Sequence, residues 1–310
     1  MKAATLCMML LAAVAGLSPA AAEPPRVVVT IKPIHALVAD VMTGVATPEL
    51  LVGGQASPHA YALKPSQSRA LYEADVFFRV SDRVDPFASK IAAALPRSVA
   101  TITLLEAPEL VRLARRKDAD FADHAHEEAD GHGHAHDEGT VDGHIWLDPR
   151  NARAIAQRIA TVLGKRFPPL AQQFERNRAA LDVRLVALDA ELAAATEPIR
   201  GVPFAVYHDA YQYFEKRYGL TAVGSLIVSP DVPVSGKRLG DVRRQVARLK
   251  VACVFGEPQS DPRLLRSVVE GTPARTGTLD AEGLALEPGP GLYFNLMRGL
   301  ARDLRACLTG

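Results

Sequence analysis

Histidines are the residues of this chain whose chemistry and positions are most informative. Imidazole nitrogen is a good ligand for borderline metal ions such as zinc. Three histidines, His59, His144 and His208, are widely separated along the 310-residue chain. A short tract at residues 117–140 combines five more histidines with eight acidic residues, and such a tract is a compositional sign of metal binding. The histidines of the tract are His124, His126, His132, His134 and His136.

The elements that must position these side chains alternate between strands and helices. Apolar and β-branched runs predict strands at 26–31, 49–52, 75–80, 99–105, 203–207, 221–228, 252–255 and 274–279. The clearest helices are predicted at 35–42, 66–74 with Ser66 as its cap, 148–163, 238–249, 262–270 and 292–308. Strands that alternate with helices predict an α/β fold with parallel sheets.

A single long helix is predicted between the two halves of the chain. Apolar residues at spacings of 4, 7, 4, 3 and 4 share one face of a helix over 170–196, about 40 Å long. They are Leu170, Phe174, Leu181, Leu185, Leu188 and Leu192. The sequence therefore predicts two lobes, at 23–167 and 199–310, joined by the long helix at 168–198. Each lobe should hold a parallel sheet of about four strands flanked by helices.

Residues 1–22 have the pattern of a secretory signal peptide. Lys2 supplies the positive charge, Leu6 to Leu17 form the apolar run, and small residues precede a cleavage site near Ala22. The run is too short to span a bilayer comfortably, so we expect a freely exported protein. The formal net charge of +1 gives no reason to expect nucleic-acid binding. The tract at 117–140 cannot bury a core, and we expect an exposed mobile loop there.

The three separated histidines fall close to the ends of predicted strands. His59 lies beyond the second strand of the first lobe, His208 directly follows the first strand of the second lobe, and His144 precedes the helix at 148. Because ligands of open α/β sheets bind beyond the carboxyl ends of strands, two facing lobes should bring these side chains to one cleft. Asp280 follows the last strand and can act there as a fourth ligand or orient an imidazole. His35, at a helix start, should pack or support the site.

Two cysteines, Cys253 and Cys307, remain after the predicted leader. An even pair in an oxidising compartment favours a disulfide. Thiolate metal ligands would need partners at short spacing, and the sequence offers none. We therefore expect a structural bridge.

Several sequence blocks resemble those of the periplasmic zinc-binding receptors of high-affinity ABC importers, the cluster A-I metal receptors. The resemblance covers nearly all of the chain after the leader, and the order and spacing of the blocks make it specific. An acidic, histidine-rich loop before the second ligand is also typical of the zinc branch. The blocks are IKPIHALVADV at 31–41, GGQASPHAYALKPSQ at 53–67, DGHIWLDPRNA at 142–152, VYHDAYQYFEKRYGL at 206–220, CVFGEPQ at 253–259 and TGTLD at 276–280.

This resemblance implies that His59, His144 and His208 bind Zn(II), with a water or a carboxylate completing the coordination. It also implies delivery of zinc, by a periplasmic monomer, to a membrane permease and its ATPase; other periplasmic zinc proteins are further candidate partners. The cysteines match positions at which the family often has its disulfide. Related manganese and iron receptors place a glutamate where His208 stands, and imidazole there favours zinc.

Two departures from the family pattern concern the fourth ligand. Pro58 stands where some zinc receptors have an acidic residue, which excludes a carboxylate ligand from that side. The family's Asp-Pro-Leu-Gly is here Asp280-Ala281-Glu282-Gly283, which leaves the role of Asp280 open between ligand and orienting partner.

Three other functions are alternatives. The protein could be a receptor for Mn(II), Fe(II) or another divalent ion, or a periplasmic zinc buffer or chaperone in which the histidine-rich tract is the working part. We expect the tract to form weaker, secondary sites, because each ion bound there must order a flexible segment. A zinc hydrolase would need a base near the metal, as in HExxH, and the sequence lacks that motif, although Glu257 follows a strand and could enter the cleft.

Overall fold

The structure is a computed structural model that describes residues 23–116, 140–227 and 235–310. The predicted signal peptide, the five histidines of the tract and the end of the strand predicted at 221–228 lie outside the described residues. None of the described helices is both long and apolar enough to cross a membrane.

The first lobe is built on a parallel sheet of four strands in the order β2-β1-β3-β4. Apart from the exposed Glu49 of the edge strand, the residues of these strands are fully or partly buried, as is typical of parallel strands covered by helices on both faces. The strands are β1 (Val27–Val29), β2 (Glu49–Leu50), β3 (Val76–Arg79) and β4 (Ala100–Thr103). The helices are α1 (Lys32–Val41), α2 (Pro65–Glu73), α3 (Pro86–Ala94) and α4 (Pro149–Arg166).

The long helix α5 (Ala171–Thr196) follows, and the second lobe repeats the design with a parallel sheet in the order β6-β5-β7-β8. The strands are β5 (Pro203–Val206), β6 (Thr221–Ser225), β7 (Cys253–Gly256) and β8 (Arg275–Thr278). The helices are α6 (Gln212–Tyr218), α7 (Gly236–Arg248), α8 (Pro262–Val269) and α9 (Leu292–Thr309). The predicted class, two α/β lobes joined by one long helix, is confirmed.

Helix α5 joins the lobes through one continuous apolar core. It packs against α1 and α4 on one side and α6 and α9 on the other. Its buried residues are those of the predicted stripe together with Thr196, except that Leu170 lies in the short 3-10 turn that precedes the helix. This core runs from β1 through α4 and α5 to α9. Each lobe also has a smaller apolar cluster of its own, around Phe77 in the first lobe and Val254 in the second. The predicted lobe boundaries at 167 and 199 stay predictions.

The helix ends predicted for α1, α2 and α4 are wrong. Helix α1 begins at Lys32, with Pro33 in its first turn, so His35 lies inside the helix rather than at its start. Helix α2 is not capped by Ser66: Pro65 takes the first turn, where its fixed φ is favourable, and the Gln67 side chain accepts the Lys64 N–H at 3.0 Å. Helix α4, predicted to end at residue 163, continues through Gly164 to Arg166. A Cβ at Gly164 would lie 3.3 Å from the Ala171 Cβ, so this glycine permits a close approach at the reversal into α5.

The predicted disulfide between Cys253 and Cys307 is confirmed. It connects β7 to α9 across a sequence separation of 54 residues, with the Cα atoms 6.0 Å apart. Both cysteines are buried, so the bridge fixes α9 against the second sheet from within the core.

Reduction of this disulfide should lower the free energy of unfolding by about 4 kcal/mol, because the unfolded chain regains the entropy of the closed loop. Guanidinium unfolding with and without reductant measures the difference. The Cys253→Ala/Cys307→Ala variant is the control and should not respond to reductant. Equal unfolding midpoints for oxidised and reduced wild-type protein would contradict a stabilising role.

Candidate metal centre

His59 reaches the cleft from a short 3-10 turn, Pro58–Ala60, that follows β2. Proline favours the first position of such a turn, and Ser57 accepts the His59 backbone N–H through its side chain at 3.4 Å. The Nδ1 atom of His59 lies 3.2 Å from the Arg83 carbonyl oxygen. A carbonyl only accepts, so Nδ1 donates. The Nε2 atom is buried and has no hydrogen-bond partner among the described residues.

His144 is held by the residue two positions before it. A carboxylate oxygen of Asp142 accepts both the His144 backbone N–H at 3.0 Å and its Nδ1–H at 2.8 Å. The chain then forms a buried 3-10 turn and enters α4, where Asp148 accepts the Arg150 N–H at 2.8 Å as the helix cap. The imidazole therefore has little freedom to rotate.

His208 comes from the second lobe, two residues after the end of β5. Its Nδ1 contacts the carboxylate of Glu257, which follows β7, the neighbouring strand of the same sheet. The Gln259 amide donates to the other Glu257 oxygen at 2.8 Å. Both His208 and Glu257 are buried, so this acid orients the imidazole from behind.

The three imidazoles converge on one point between the lobes. One ring nitrogen from each lies within 4.8 Å of the corresponding atoms of the other two, and the ring centroids are 5.3 to 6.0 Å apart. The Nε2 atoms of His144 and His208 are 3.4 Å apart. Two nitrogens bound at zinc distance to a tetrahedral ion are also about 3.4 Å apart.

The outer hydrogen bonds determine the chemistry of this centre. Since each Nδ1 donates to an acceptor outside the cluster, each neutral imidazole directs the lone pair of its Nε2 inward. Facing lone pairs repel one another and are stabilised by a cation between them. The centre can therefore bind a divalent ion that accepts nitrogen ligands, and zinc is such an ion.

Burial and neighbouring charge change the pKa values around the centre. The pKa of His59 falls to about 3 because of burial and the nearby His144 and His208. Burial also opposes protonation of His208, but the charge and hydrogen bond of Glu257 outweigh it and raise the pKa of His208. Burial and the nearby Glu257 raise the pKa of Glu282, close to His208, to about 8. The second-lobe side is therefore rich in carboxyl groups.

The structure does not bring Asp280 together with the three histidines. One of its carboxylate oxygens accepts the backbone N–H groups of Glu282 at 3.1 Å and Gly283 at 2.7 Å, and the other lies 3.4 Å from the Ala285 nitrogen. Asp280 therefore stabilises the turn after β8. His35 also lies outside the group and interacts with the Pro48 carbonyl oxygen at 2.9 Å.

The partners behind the imidazoles were missed by sequence reasoning. Asp142 precedes His144 by two residues, a spacing at which a carboxylate can return to the imidazole, and this signal was available. Glu257 was considered only as a hydrolase base, although it follows a strand of the same sheet as His208. The Arg83 carbonyl carries no sequence signal, because every residue has a backbone oxygen.

Comparison with known proteins gives a consistent result. Residues 27–307 match a family model described as the periplasmic component A of the zinc-uptake complex. The high-affinity zinc uptake system protein ZnuA of Brucella suis is 40% identical over 311 residues, covering 93% of each chain. The protein of the same name from Paracoccus denitrificans is 37% identical over 309 residues, covering 94% of each.

Solved structures show the same fold. The periplasmic zinc-binding protein TroA of Treponema pallidum aligns with a TM-score of 0.76 at 20% identity, covering 92% of this chain and 99% of that one. The Zn(II)-bound ZnuA-like domain of AdcA from Streptococcus pneumoniae aligns with a TM-score of 0.70 at 23% identity, covering 92% and 98%. The two-lobe architecture is therefore shared with metal-binding proteins of distant sequence.

Gly143 should be intolerant of a side chain, because its Cβ would lie 2.5 Å from Cγ2 of the buried Val84. Gly143→Ala should cost about 1–3 kcal/mol of unfolding free energy, as overpacking does. Adding Val84→Ala should recover part of that loss, which a double-mutant cycle of denaturant unfolding measures. Gly53→Ala is the control, since its Cβ would meet nothing within 4 Å. Additive effects of the two changes at 84 and 143 would contradict the collision.

Proposed function

The chain belongs to the family of periplasmic zinc-uptake complex components, and from that premise we propose that it captures Zn(II) between its lobes and delivers it to an ABC permease. The observation that carries the proposal is the set of three Nε2 lone pairs directed at one point by His59, His144 and His208. The direction of each lone pair is fixed by an acceptor that contacts the Nδ1 atom of the same ring. Such orientation is the arrangement that metal-binding histidines need.

The ligand atoms favour zinc over harder ions. Three neutral nitrogens suit a borderline ion, whereas manganese and magnesium prefer oxygen. A receptor for Mn(II) or Fe(II) is the alternative within this class of protein. It is less well supported, because the carboxylates of Asp142 and Glu257 are engaged behind the imidazoles rather than directed at the centre.

A water or Asp280 completes the coordination in this proposal. The Asp280 carboxylate is engaged by backbone N–H groups of its own turn, so direct ligation requires that turn to open. Water needs no such change and is the simpler fourth ligand. The histidine-rich tract at 117–140 supplies weaker secondary sites, which makes a buffering role an addition to transport rather than a replacement for it.

Delivery follows from the position of the site between lobes. Export to the periplasm through the predicted signal peptide places the protein, as a monomer, beside a membrane permease and its ATPase. A nanomolar site corresponds to about 12 kcal/mol, so the permease must assist release by separating the lobes. The continuous core and the long helix α5 favour a small closing motion on zinc binding.

A receptor fits the centre better than an enzyme. A zinc hydrolase needs an open coordination position and a base aimed at the bound water. Glu257, the residue considered for that task, contacts the His208 Nδ1 and accepts from the Gln259 amide. Its oxygens therefore orient a ligand instead of activating a water.

His208→Ala should weaken zinc binding by about 100-fold or more, since loss of a ligand should exceed the ten- to hundredfold effect of losing an outer partner. Competition titration against a chromogenic chelator measures the affinity. His35→Ala is the matched control: it should lower stability by about 1 kcal/mol through one lost hydrogen bond and leave the affinity unchanged. Equal losses of affinity in the two variants would contradict the ligand assignment.

The affinity should rise with pH until His208 is neutral in the free protein. Glu257 raises the pKa of His208, and a zinc ligand must be unprotonated, so binding below that pKa releases a proton. The affinity should therefore change by about tenfold per pH unit there and level off above it. His59, with a pKa of about 3, adds no further proton release near neutral pH.

Competition titrations across this pH range measure the profile, and Glu257→Gln is the informative variant. Removal of the negative charge should lower the His208 pKa, so the level region should begin at a lower pH. An unchanged profile would contradict the role of Glu257 in setting the His208 pKa.

A further inference from the structure

Arg116 joins the two halves of the protein beside the metal centre. Its guanidinium donates to the carboxylate of Asp209 at 2.8 Å and to Glu215 at 2.6 Å. Arg116 lies between β4 and α4, whereas Asp209 and Glu215 belong to the second lobe. The Arg116 side chain is only 20% exposed, and that of Glu215 is 3% exposed. These charges therefore form an interlobe cluster that is largely removed from water.

One end of this cluster is covalently next to a proposed zinc ligand. Asp209 directly follows His208, so any displacement of its carboxylate acts on the backbone that carries the imidazole. Glu215 lies in the first turn of α6 and anchors the other end. The guanidinium thus fixes the His208–Asp209 corner relative to α6 and to the first-lobe segment.

The segment that carries Arg116 is also tied to the His144 side of the centre. The Asp142 N–H donates to the Leu113 carbonyl at 2.9 Å. The Leu113 N–H donates to the Tyr213 hydroxyl at 3.1 Å, and this hydroxyl donates to the Asp142 carbonyl at 2.8 Å. Since Asp142 orients His144, a single segment is bonded to the supports of both imidazoles.

A guanidinium is the group suited to this position. It presents several N–H donors in a rigid plane and can bind two carboxylates at once, which a lysine ammonium does with less geometric control. Removal of the cation would take the opposite charge away from the buried carboxylate of Glu215 and the partly buried carboxylate of Asp209. Such a loss is strongly unfavourable and drives the groups towards water or apart.

We propose that Arg116 is the positioning residue of the centre: it sets the distance between His208 of the second lobe and His144 of the first. It acts through Asp209 and not as a ligand. This inference rests on the proposed function, because the distance between the two nitrogens matters only if one ion must contact both.

The test measures zinc affinity and the number of bound imidazoles in three variants of the full chain. Arg116→Gln should weaken zinc binding by about 10- to 100-fold, which is the range for loss of a group that orients a metal ligand. X-ray absorption of the zinc-loaded protein should then show fewer histidine ligands than in the wild type. Arg116→Lys keeps the positive charge but loses the planar set of guanidinium donors. Its zinc affinity should therefore lie between those of the wild type and Arg116→Gln, with all three histidines still bound.

Arg153→Gln is the matched control. Arg153 also forms a two-point ion pair, with Asp182, but it joins α4 to α5 at the surface, away from the centre. This variant should bind zinc like the wild type. A general loss of stability without a positioning role would lower the unfolding midpoint of Arg116→Gln and leave its affinity and histidine count unchanged, which would overturn the inference.

The Arg116→Lys variant covers the case in which Arg116→Gln does not fold. Wild-type affinity in folded Arg116→Lys would then overturn the inference, and reduced affinity would support it. The wild-type measurement separates the two proposals: absence of a three-histidine zinc spectrum there would reject the proposed function itself. A three-histidine wild type with unaffected Arg116 variants would reject only the role of Arg116.

Discussion

Repulsion among three unprotonated imidazole nitrogens is the constraint on which the centre depends. The Nε2 atoms of His144 and His208 are 3.4 Å apart, and neither can donate to the other when both imidazoles are neutral with the proton on Nδ1. A cation converts this repulsion into coordination. Above the pKa of His208, the surrounding structure must therefore keep the rings in place against this repulsion until an ion is bound.

Hydrogen bonds between the lobes help to keep the three imidazole rings in place. The Trp146 indole N–H donates to the Ala281 carbonyl at 2.8 Å, and the Tyr293 hydroxyl donates to the Trp146 carbonyl at 2.7 Å. The Lys32 ammonium donates to the carbonyls of Leu284 at 2.7 Å and Leu286 at 2.9 Å. These bonds are buried or partly buried and cross between the lobes, and the apolar core of α5 continues beneath them. The cleft is therefore set by many small interactions rather than by a hinge alone.

The elements and the positions of the histidines could be predicted because they follow from local rules. Apolar runs bounded by turn residues predicted the strands of both sheets as they follow along the chain. The stripe of apolar residues over 170–196 predicted α5. The edge rule for parallel strands placed His59 and His208 in one cleft. The end of α4 at Arg166 could not be predicted, because Gly164 lies inside the helix and permits the close approach of Ala171, which is a tertiary contact.

Asp280 illustrates the limit of the edge rule. The rule predicts at which edge of a sheet a residue lies, but it does not predict which hydrogen-bond donors its side chain meets there. The turn after β8 presents backbone N–H groups that Asp280 accepts, whereas Glu257, after β7, meets an imidazole instead. Two acids at the same edge of one sheet thus have different partners, and only the path of the following residues distinguishes them.

In the proposed receptor, the division of charge between the lobes favours both the selectivity of the centre for zinc and the release of the ion. The neutral imidazoles favour a nitrogen-binding ion, while Asp142 and Glu257 behind them supply two negative charges that match a divalent cation. His144 and Asp142 belong to one lobe, and His208 and Glu257 to the other. Separation of the lobes would therefore remove a proposed ligand and its supporting charge together, so a small movement can weaken binding more than loss of a single contact would.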